Sequence, residues 1–240
     1  MADHKDQNKV FDIHADAYSD GIDESLSKFG TEHDFFTVHK SRLIPQVLAG
    51  MGKTPAEMSL MDVGCGVGVI HPYLQGTFAS ITGVDLSEPS IKVAQVQNPA
   101  VAYLAYDGDT LPAADNSVDM TLAICVMHHV PVAEWPAFSR EMMRVLRPGG
   151  VAMVIEHNPY NPVTMRIVNT CPLDVDAVLL PARKTRALFS GAGAVDVKTR
   201  TVLSVPPKNA ALQKLDTWLG HLPFGAQYYM TARKAETATA

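Results

Sequence analysis

The sequence predicts an α/β fold in which parallel strands alternate with helices that cover both faces of one sheet. From Leu60 onward, short apolar runs of strand length alternate with stretches of helical length, and this alternation is typical of βαβ units. The chain has 240 residues, 47% of them hydrophobic, which is enough to bury a single core. We therefore predict one domain over residues 1–235.

The elements follow in order along the chain. The first part reads as helical and partly amphipathic, which predicts an N-terminal helical cap over residues 1–55 whose last helix stops at Gly50. Seven strands are predicted after the cap, near the segments LMDVG, SITGVD, VAYLAYD, VDMTLAICV, GVAMVIE, AVDVKTRTVLSV and QYYMTARK. The segment AETATA closes the chain, and we expect residues 236–240 to form a disordered tail.

One helix is predicted in particular detail. In VAEWPAFSREMMRVL an apolar stripe recurs at helical spacing, which indicates a face buried in the core rather than a cofactor motif; its members are Trp135, Phe138, Met142, Val145 and Leu146. The helix is expected to stop at RPGG, because Pro148 and Gly149 do not continue it.

Composition excludes several classes of protein. The net charge of −5 and the scattered basic residues argue against a nucleic-acid partner. The three cysteines, Cys65, Cys125 and Cys171, lack the spacing of a disulfide framework or a zinc knuckle. The N-terminus is polar and no apolar run approaches the roughly 20 residues that span a bilayer. We therefore expect a cytoplasmic protein without a membrane partner.

The turn after the first strand is rich in glycine. In DVGCGVG, residues Gly64, Gly66 and Gly68 let the backbone turn sharply and approach a ligand closely. A dinucleotide fingerprint would place its third glycine where this chain has Val69, which argues against NAD. The alternative is a tight turn without a ligand.

Two acids follow at the ends of the next two strands. Asp85 ends SITGVD where a ribose-binding carboxylate is expected, and Asp107 ends the third strand, where it could accept from an adenine amino group beside the Gly108 N–H. Either acid could instead be a helix cap or a turn residue. The carboxyl ends of adjacent parallel strands line one crevice, which is where ligands bind in open α/β sheets.

Together these motifs resemble the class I S-adenosylmethionine-dependent methyltransferases, especially the branch with the ubiquinone and menaquinone biosynthesis enzymes. The matching segments are DVGCGVG, GVDLS, YDGDTLPAADNSVD, AICVMHHVP and RVLRPGG, in the family's order over roughly residues 11–154. The resemblance implies a Rossmann-like, doubly wound, seven-stranded sheet, mostly parallel with an antiparallel last strand. It also implies S-adenosyl-L-methionine as cofactor and S-adenosyl-L-homocysteine as product.

The resemblance assigns cofactor roles by position. The methionine part would be held by Asp62, Gly64, Cys65 and Gly66, the ribose by Asp85 and Leu86, the adenine by Asp107 and Gly108, and the sulfonium side by Ile124. Family members usually have Gly where this chain has Tyr106, so this ring either narrows the adenine pocket or covers it.

The acceptor side is predicted less directly. We hypothesise that His157 is the general base, that His129 shapes the loop, and that Tyr18 closes the site from the cap. His128 and His129 could instead have structural roles. Glu156 and His157 could each act as a base or anchor the lid. Residues 157–190 are expected to form a lid insertion. No metal is required for the transfer.

The predicted function is methyl transfer to a small-molecule acceptor, with O-methylation expected ahead of C- or N-methylation. A regulatory protein that binds an adenosyl ligand without catalysis, and a nucleotide-dependent oxidoreductase, are the alternatives. The protein is expected to be a monomer or a homodimer. The segment after Val154 carries no resemblance that would name the acceptor.

Overall fold

A computed structural model of the chain describes residues 33–205 and 209–236. Its centre is a 7-stranded sheet with the order β3-β2-β1-β4-β5-β7-β6. The strands are β1 Ser59–Val63, β2 Ser80–Asp85, β3 Ala102–Ala105, β4 Val118–Ile124, β5 Leu146–His157, β6 Ala194–Val202 and β7 Gln227–Lys234. All seven lie where the sequence predicted them, although β3, β4 and β6 are shorter than predicted and β5 is longer.

The sheet is parallel from β3 to β5, and β7 pairs antiparallel with both β5 and β6. This confirms the mixed, mostly parallel sheet. The strand order reverses at β1, whose neighbours are β2 on one side and β4 on the other. Such a switch point opens a crevice at the carboxyl ends of the two strands.

Helices cover both faces of the sheet. Their bounds are α1 His33–Gly50, α2 His71–Leu74, α3 Glu88–Gln97, α4 Trp135–Val145, α5 Pro162–Val168, α6 Ala182–Gly191 and α7 Ala210–Leu219. Short 3-10 turns lie at Pro55–Glu57, Met127–His129 and Pro172–Asp174. Helix α1 ends at Gly50, as predicted.

Two hydrophobic clusters lie on opposite faces, and β5 shows why. Its side chains alternate: Val151, Met153 and Ile155 belong to one cluster, whereas Ala152 and Val154 belong to the other. Period-2 alternation with both faces apolar is typical of a central strand that is buried on both sides. Helices α1 and α3 contribute to the first cluster, and α4 and α6 to the second.

The predicted stripe of α4 is confirmed, since all five of its residues are buried. The end of the helix differs from the prediction. Helix α4 stops at Val145, and Leu146 is already extended with φ −66° and ψ 139°, so β5 runs through Pro148. A proline disfavours the helical conformation in the residue before it, which here is Arg147, and the chain therefore leaves the helix earlier than Pro148.

Much of the predicted cap lies outside the described residues, as does the tail after Glu236; from the cap the structure describes α1 and the turn before β1. Over residues 33–205 and 209–236, no helix combines the length and apolar character that a membrane crossing needs.

Candidate active site

The glycine-rich turn joins β1 to α2 at the switch point of the sheet. Gly64, Gly66 and Gly68 have φ values of +76°, +52° and +73°, a region that is strained for residues with a side chain. A Cβ on Gly64 would lie 2.6 Å from the side chain of Val126, whereas a Cβ on Gly66 would meet no atom within 4 Å. Gly66 therefore faces open space with bare backbone, as a ligand cradle requires.

Asp85 lies at the end of β2, opposite this turn. Its Oδ2 accepts from the Gly66 N–H at 2.7 Å, and its Oδ1 accepts from the Ser87 N–H at 2.9 Å. A carboxylate has about four acceptor positions, so both oxygens keep capacity for further donors. Burial raises the pKa of Asp85, while the N–H groups of Ser87 and Gly66 act in the opposite direction.

Asp107 follows β3 and is exposed. Its Oδ1 accepts from the N–H groups of Asp109 at 3.0 Å and Thr110 at 3.1 Å, and these bonds lower the pKa of Asp107. One oxygen of Asp107 thus has the turn role that the sequence left open. Beside it, Gly108 has φ +92°, and Tyr106 is half-buried and packs against the hydrophobic core.

The N–H groups of the turn are partly occupied within the chain. Gly64 and Cys65 both donate to the Val84 carbonyl, at 2.8 and 3.1 Å. An ammonium group is bound by acceptors, so these bonds do not conflict with the predicted methionine site. Burial raises the pKa of the Cys65 thiol well above its usual range, so the thiol stays neutral.

Asp62 has a partner that the sequence did not indicate. Its Oδ2 lies 3.1 Å from Nε2 of His71, and Nδ1 of the same imidazole lies 2.5 Å from the Tyr103 hydroxyl. All three side chains are buried. The resemblance assigned Asp62 to the methionine part of the cofactor, and the structure adds His71, the first residue of α2, as a partner within the chain. No local signal marks His71, because the pairing depends on how the turn packs against β3.

The end of β4 carries Ile124 and Cys125. Ile124 is half-buried beside the turn, and Cys125 has φ +56°. Its Sγ lies 3.9 Å from Nζ of Lys40 and 3.6 Å from Nε2 of Gln227. Lys40, from α1, therefore reaches the edge of the crevice beside β4.

A histidine cluster lies just after β4. Nδ1 of His128 is 2.6 Å from Oε2 of Glu156, whose Oε1 accepts from the N–H groups of Val126 at 3.1 Å and Met127 at 2.8 Å. His128 and Glu156 are buried, at 2% and 0% exposure. Nε2 of His128 faces Oδ1 of Asp174 at 3.5 Å. Glu156 thus anchors the loop after β4, whereas its predicted base and lid-anchoring roles stay predictions.

The three histidines differ in their electrostatics. Burial acts to lower the pKa of His128, but Glu156 and Asp174 together raise it to about 10. Burial and the charge of His128 lower the pKa of His129 to about 3 and that of His157 to about 4. His157 is therefore unprotonated at neutral pH, and it is a weaker base than a histidine of ordinary pKa.

Of the residues predicted on the acceptor side, the structure brings two histidines close together. The His128 ring centroid lies 4.1 Å from that of His129 and 5.2 Å from that of His157, so the two predicted histidines flank a third. Tyr18 lies outside the described residues. Asp174 was missed, because nothing in its neighbourhood in the sequence indicates that it meets residues 45 positions earlier.

The sequence matches known proteins over its first strands and helices. Residues 61–154 match the family model of a methyltransferase domain. A phthiotriol/phenolphthiotriol dimycocerosates methyltransferase of Mycobacterium ulcerans is 34% identical over 108 residues, which are 43% of this chain and 39% of that protein. A ubiquinone biosynthesis O-methyltransferase of Mesorhizobium japonicum is 30% identical over 141 residues, 55% of this chain and 56% of the relative. The matches thus span about half the length of these relatives or less.

Solved structures share the fold at lower identity. A SAM-dependent methyltransferase from Archaeoglobus fulgidus aligns with a TM-score of 0.59 and 15% identity, covering 81% of this chain and 94% of that chain. The [4+2]-cyclase SpnF aligns with a TM-score of 0.58 and 21% identity, covering 83% and 81%. The family match and the Rossmann-like sheet agree: residues 61–154 are similar to methyltransferase domains, and the sheet has the fold of solved S-adenosylmethionine-dependent methyltransferases.

Proposed function

We propose that the protein transfers a methyl group from S-adenosylmethionine to a small-molecule acceptor, at oxygen in preference to carbon or nitrogen. The relatives named above include an O-methyltransferase, which supports the choice of oxygen. The SpnF likeness is a reason to base the proposal on the site, because one fold hosts different reactions.

The observation that carries the proposal is the contact between Gly66 and Asp85. It places a carboxylate 2.7 Å from bare, positive-φ backbone at the switch point of the sheet. There the carboxylate can accept from both hydroxyls of a ribose while the chain of the ligand passes along the glycine turn. A Cβ at Gly66 would occupy that path, which is open in this structure.

The charged and apolar side chains around the turn fit the cofactor. Asp62 lies in β1 just before the turn and Lys40 reaches Cys125 at the end of β4. The two supply opposite charges, and a zwitterionic amino-acid tail presents both an ammonium and a carboxylate. Ile124 offers an apolar side at the end of β4, where a sulfonium methyl would point toward the acceptor. A sulfonium is an already activated methyl donor, so the task of the chain is to align the acceptor and to exclude water.

The acceptor side would be formed by the loop after β4 and by residues 157–190. His157 presents a neutral imidazole there, which can accept a proton from a hydroxyl acceptor, and His129 shapes the loop. The lowered pKa of His157 makes it a weak base. We therefore propose that His157 positions the acceptor hydroxyl and receives its proton only as the new bond forms. Residues 157–190 act as the lid that selects the acceptor.

The experiment is titration of purified protein with S-adenosylhomocysteine by calorimetry. We expect Asp85→Ala to weaken binding by at least about 10-fold, since it removes two charge-assisted hydrogen bonds to the ribose. The control is Glu57→Ala, which removes an exposed carboxylate before β1. Asp85→Asn keeps an acceptor for one of the two N–H groups and should bind with intermediate affinity.

Methyl transfer separates the remaining alternatives. Incubation with labelled S-adenosylmethionine and a panel of phenols, carboxylic acids and amines should label a hydroxyl compound. Binding without transfer to any compound would support the regulatory alternative, and thermal protection by a nicotinamide cofactor would support the oxidoreductase. Equal affinity of Asp85→Ala and the parent would refute the proposed site.

A further inference from the structure

Three potential metal ligands converge between the loop after β4 and the segment after α5. They belong to His128, His129 and Asp174, and one ligand atom of each lies within 4.8 Å of the other two. Nε2 of each imidazole is 3.5 Å from the same carboxylate oxygen, Oδ1 of Asp174. From this geometry we propose that His128, His129 and Asp174 bind one divalent transition-metal ion of the zinc type.

The distances distinguish an ion site from a hydrogen-bonded cluster. A hydrogen bond between nitrogen and oxygen is usually about 2.7–3.2 Å long, so 3.5 Å exceeds a good contact at both imidazoles. Two ligands of one tetrahedral zinc ion, each about 2.0–2.1 Å from the metal, are about 3.3–3.4 Å apart. The two nitrogen-to-oxygen separations therefore need a closure of only about 0.1–0.2 Å around an ion, and the two imidazole nitrogens lie within 4.8 Å of each other.

The far side of His128 supports the same conclusion. Its Nδ1 lies 2.6 Å from Glu156, so Nδ1 carries a proton and Nε2 faces Asp174. An ion bound at Nε2 would replace the proton on that nitrogen. A carboxylate that orients the ligating histidine in this way is the usual outer partner of a zinc site. Glu156 is itself held by the N–H groups of Val126 and Met127, so the orientation of the ring is rigid.

Charge balance favours a divalent cation. The buried Glu156 and the mostly buried Asp174 bring two negative charges together, with exposed side-chain fractions of 1% and 11%. A divalent ion bound to neutral imidazoles would balance both of these charges, and an uncompensated buried charge is costly.

The chemical types of the three ligands indicate which metal ion would bind. Two imidazoles and one carboxylate suit zinc and its neighbours in the first transition row, whereas magnesium and calcium prefer all-oxygen sites. Three protein ligands leave a fourth position open, and the exposed fraction of the His129 side chain, 20%, places the opening on its side. The ion would also tie the segment around Asp174 to the end of β4.

The test uses the full-length protein, freed of metal with a chelator and dialysed, and Zn²⁺ or Co²⁺ as the probe. We expect one equivalent of Zn²⁺ per chain by elemental analysis, and a visible absorption band of tetrahedral Co²⁺. Zn²⁺ should raise Tm whereas Mg²⁺ at the same concentration should not. No adenosyl ligand is present, so failure here leaves the proposed methyltransferase function intact.

Variants locate the ion. His129→Ala and Asp174→Asn should weaken Zn²⁺ binding at least about 100-fold, and Glu156→Gln about 10-fold to 100-fold by loosening the ring of His128. The matched control is His221→Ala, which removes an exposed histidine beside Arg200. Circular dichroism without metal checks that each variant is folded.

The proposal is overturned if the chelated parent takes up less than one equivalent of Zn²⁺ at micromolar concentration, or if His129→Ala keeps the parent's affinity and Co²⁺ band. If a variant fails to fold, Zn²⁺ uptake by the parent protein alone tests the proposal. Retention of Zn²⁺ without the tetrahedral Co²⁺ band would mean an adventitious ion only, and would also count against the site.

Discussion

The imidazole of His71 lies 3.1 Å from the carboxylate of Asp62, beneath the glycine turn. When His71 donates from Nε2 to Asp62, its Nδ1 accepts from the hydroxyl of Tyr103 at 2.5 Å. Burial raises the pKa of Tyr103, so this hydroxyl stays a donor. This chain of hydrogen bonds, the Asp62–His71–Tyr103 relay, packs directly against the turn. A Cβ on Gly68 would clash with the Tyr103 hydroxyl.

Tyr103→Phe should therefore lower the free energy of unfolding by about 1–3 kcal/mol, since it leaves a buried imidazole nitrogen without its donor. Chemical denaturation followed by circular dichroism measures the change. Tyr73→Phe is the matched control: Tyr73 is 44% exposed, and its change should stay within about 0.5 kcal/mol. Equal effects of the two substitutions would contradict the role of the relay.

The glycine turn permits a second matched pair, Gly66→Ala and Gly76→Ala. Both glycines have positive φ, +52° and +75°, and neither has an atom within 4 Å of an added Cβ. Each alanine should cost about 1–2 kcal/mol of stability through backbone strain alone. Only Gly66→Ala should also weaken S-adenosylhomocysteine binding, by about 10-fold or more, because its methyl group fills the cradle. Calorimetry on both variants gives the comparison, and parallel losses of affinity would exclude a local cradle.

The indole of Trp135 holds the loop that carries the histidine cluster. Its Nε1 donates to the carbonyls of Met127 at 2.8 Å and Val130 at 2.9 Å. Trp135→Phe removes the donor and leaves a smaller ring in the core, and we expect a loss of about 2–4 kcal/mol in unfolding free energy. Trp218, on α7, is 70% exposed, and Trp218→Phe should change stability little. A Trp135→Phe protein as stable as the Trp218→Phe protein would refute the anchoring role.

Acid should weaken the contact between α4 and the loop before β4. Within α4, Arg144 binds Glu141 through Nε and Nη2, both at 2.8 Å, and Oε2 of Glu141 accepts from the N–H of Leu111 in the loop at 3.0 Å. Both contacts lower the pKa of Glu141. A folded-state pKa below the unfolded value gives stability that is present above the unfolded pKa, about 4.3 for Glu, and is lost as the pH falls through the folded value. Glu141→Gln should thus be less stable than the parent at pH 7, and the difference should shrink below about pH 4. Denaturation curves from pH 3 to pH 7 test this, and a constant difference would contradict it.

The strands and the main helix could be predicted from the sequence because their signals are local. The apolar residues from Trp135 to Leu146 recur at helical spacing, and the segment GVAMVIE in β5 is almost entirely apolar. Each pattern therefore indicates which faces are buried. The glycine turn and Asp85 were predictable for the same reason, since positive φ and a strand-terminal acid depend on neighbouring residues. The end of α4 was misplaced because the pre-proline restriction acts on Arg147, before the residues that look like the stop.

The sequence by itself determined an α/β sheet with a glycine-lined crevice, because period, turn chemistry and strand length are properties of short segments. Only the tertiary structure decided that His71 pairs with Asp62, that β7 inserts between β5 and β6, and that Asp174 faces His128 and His129. These contacts join residues far apart in the chain, and their distances depend on how whole elements pack together. The pKa values of the three histidines follow from that packing, because burial and neighbouring charges exist only in the folded protein.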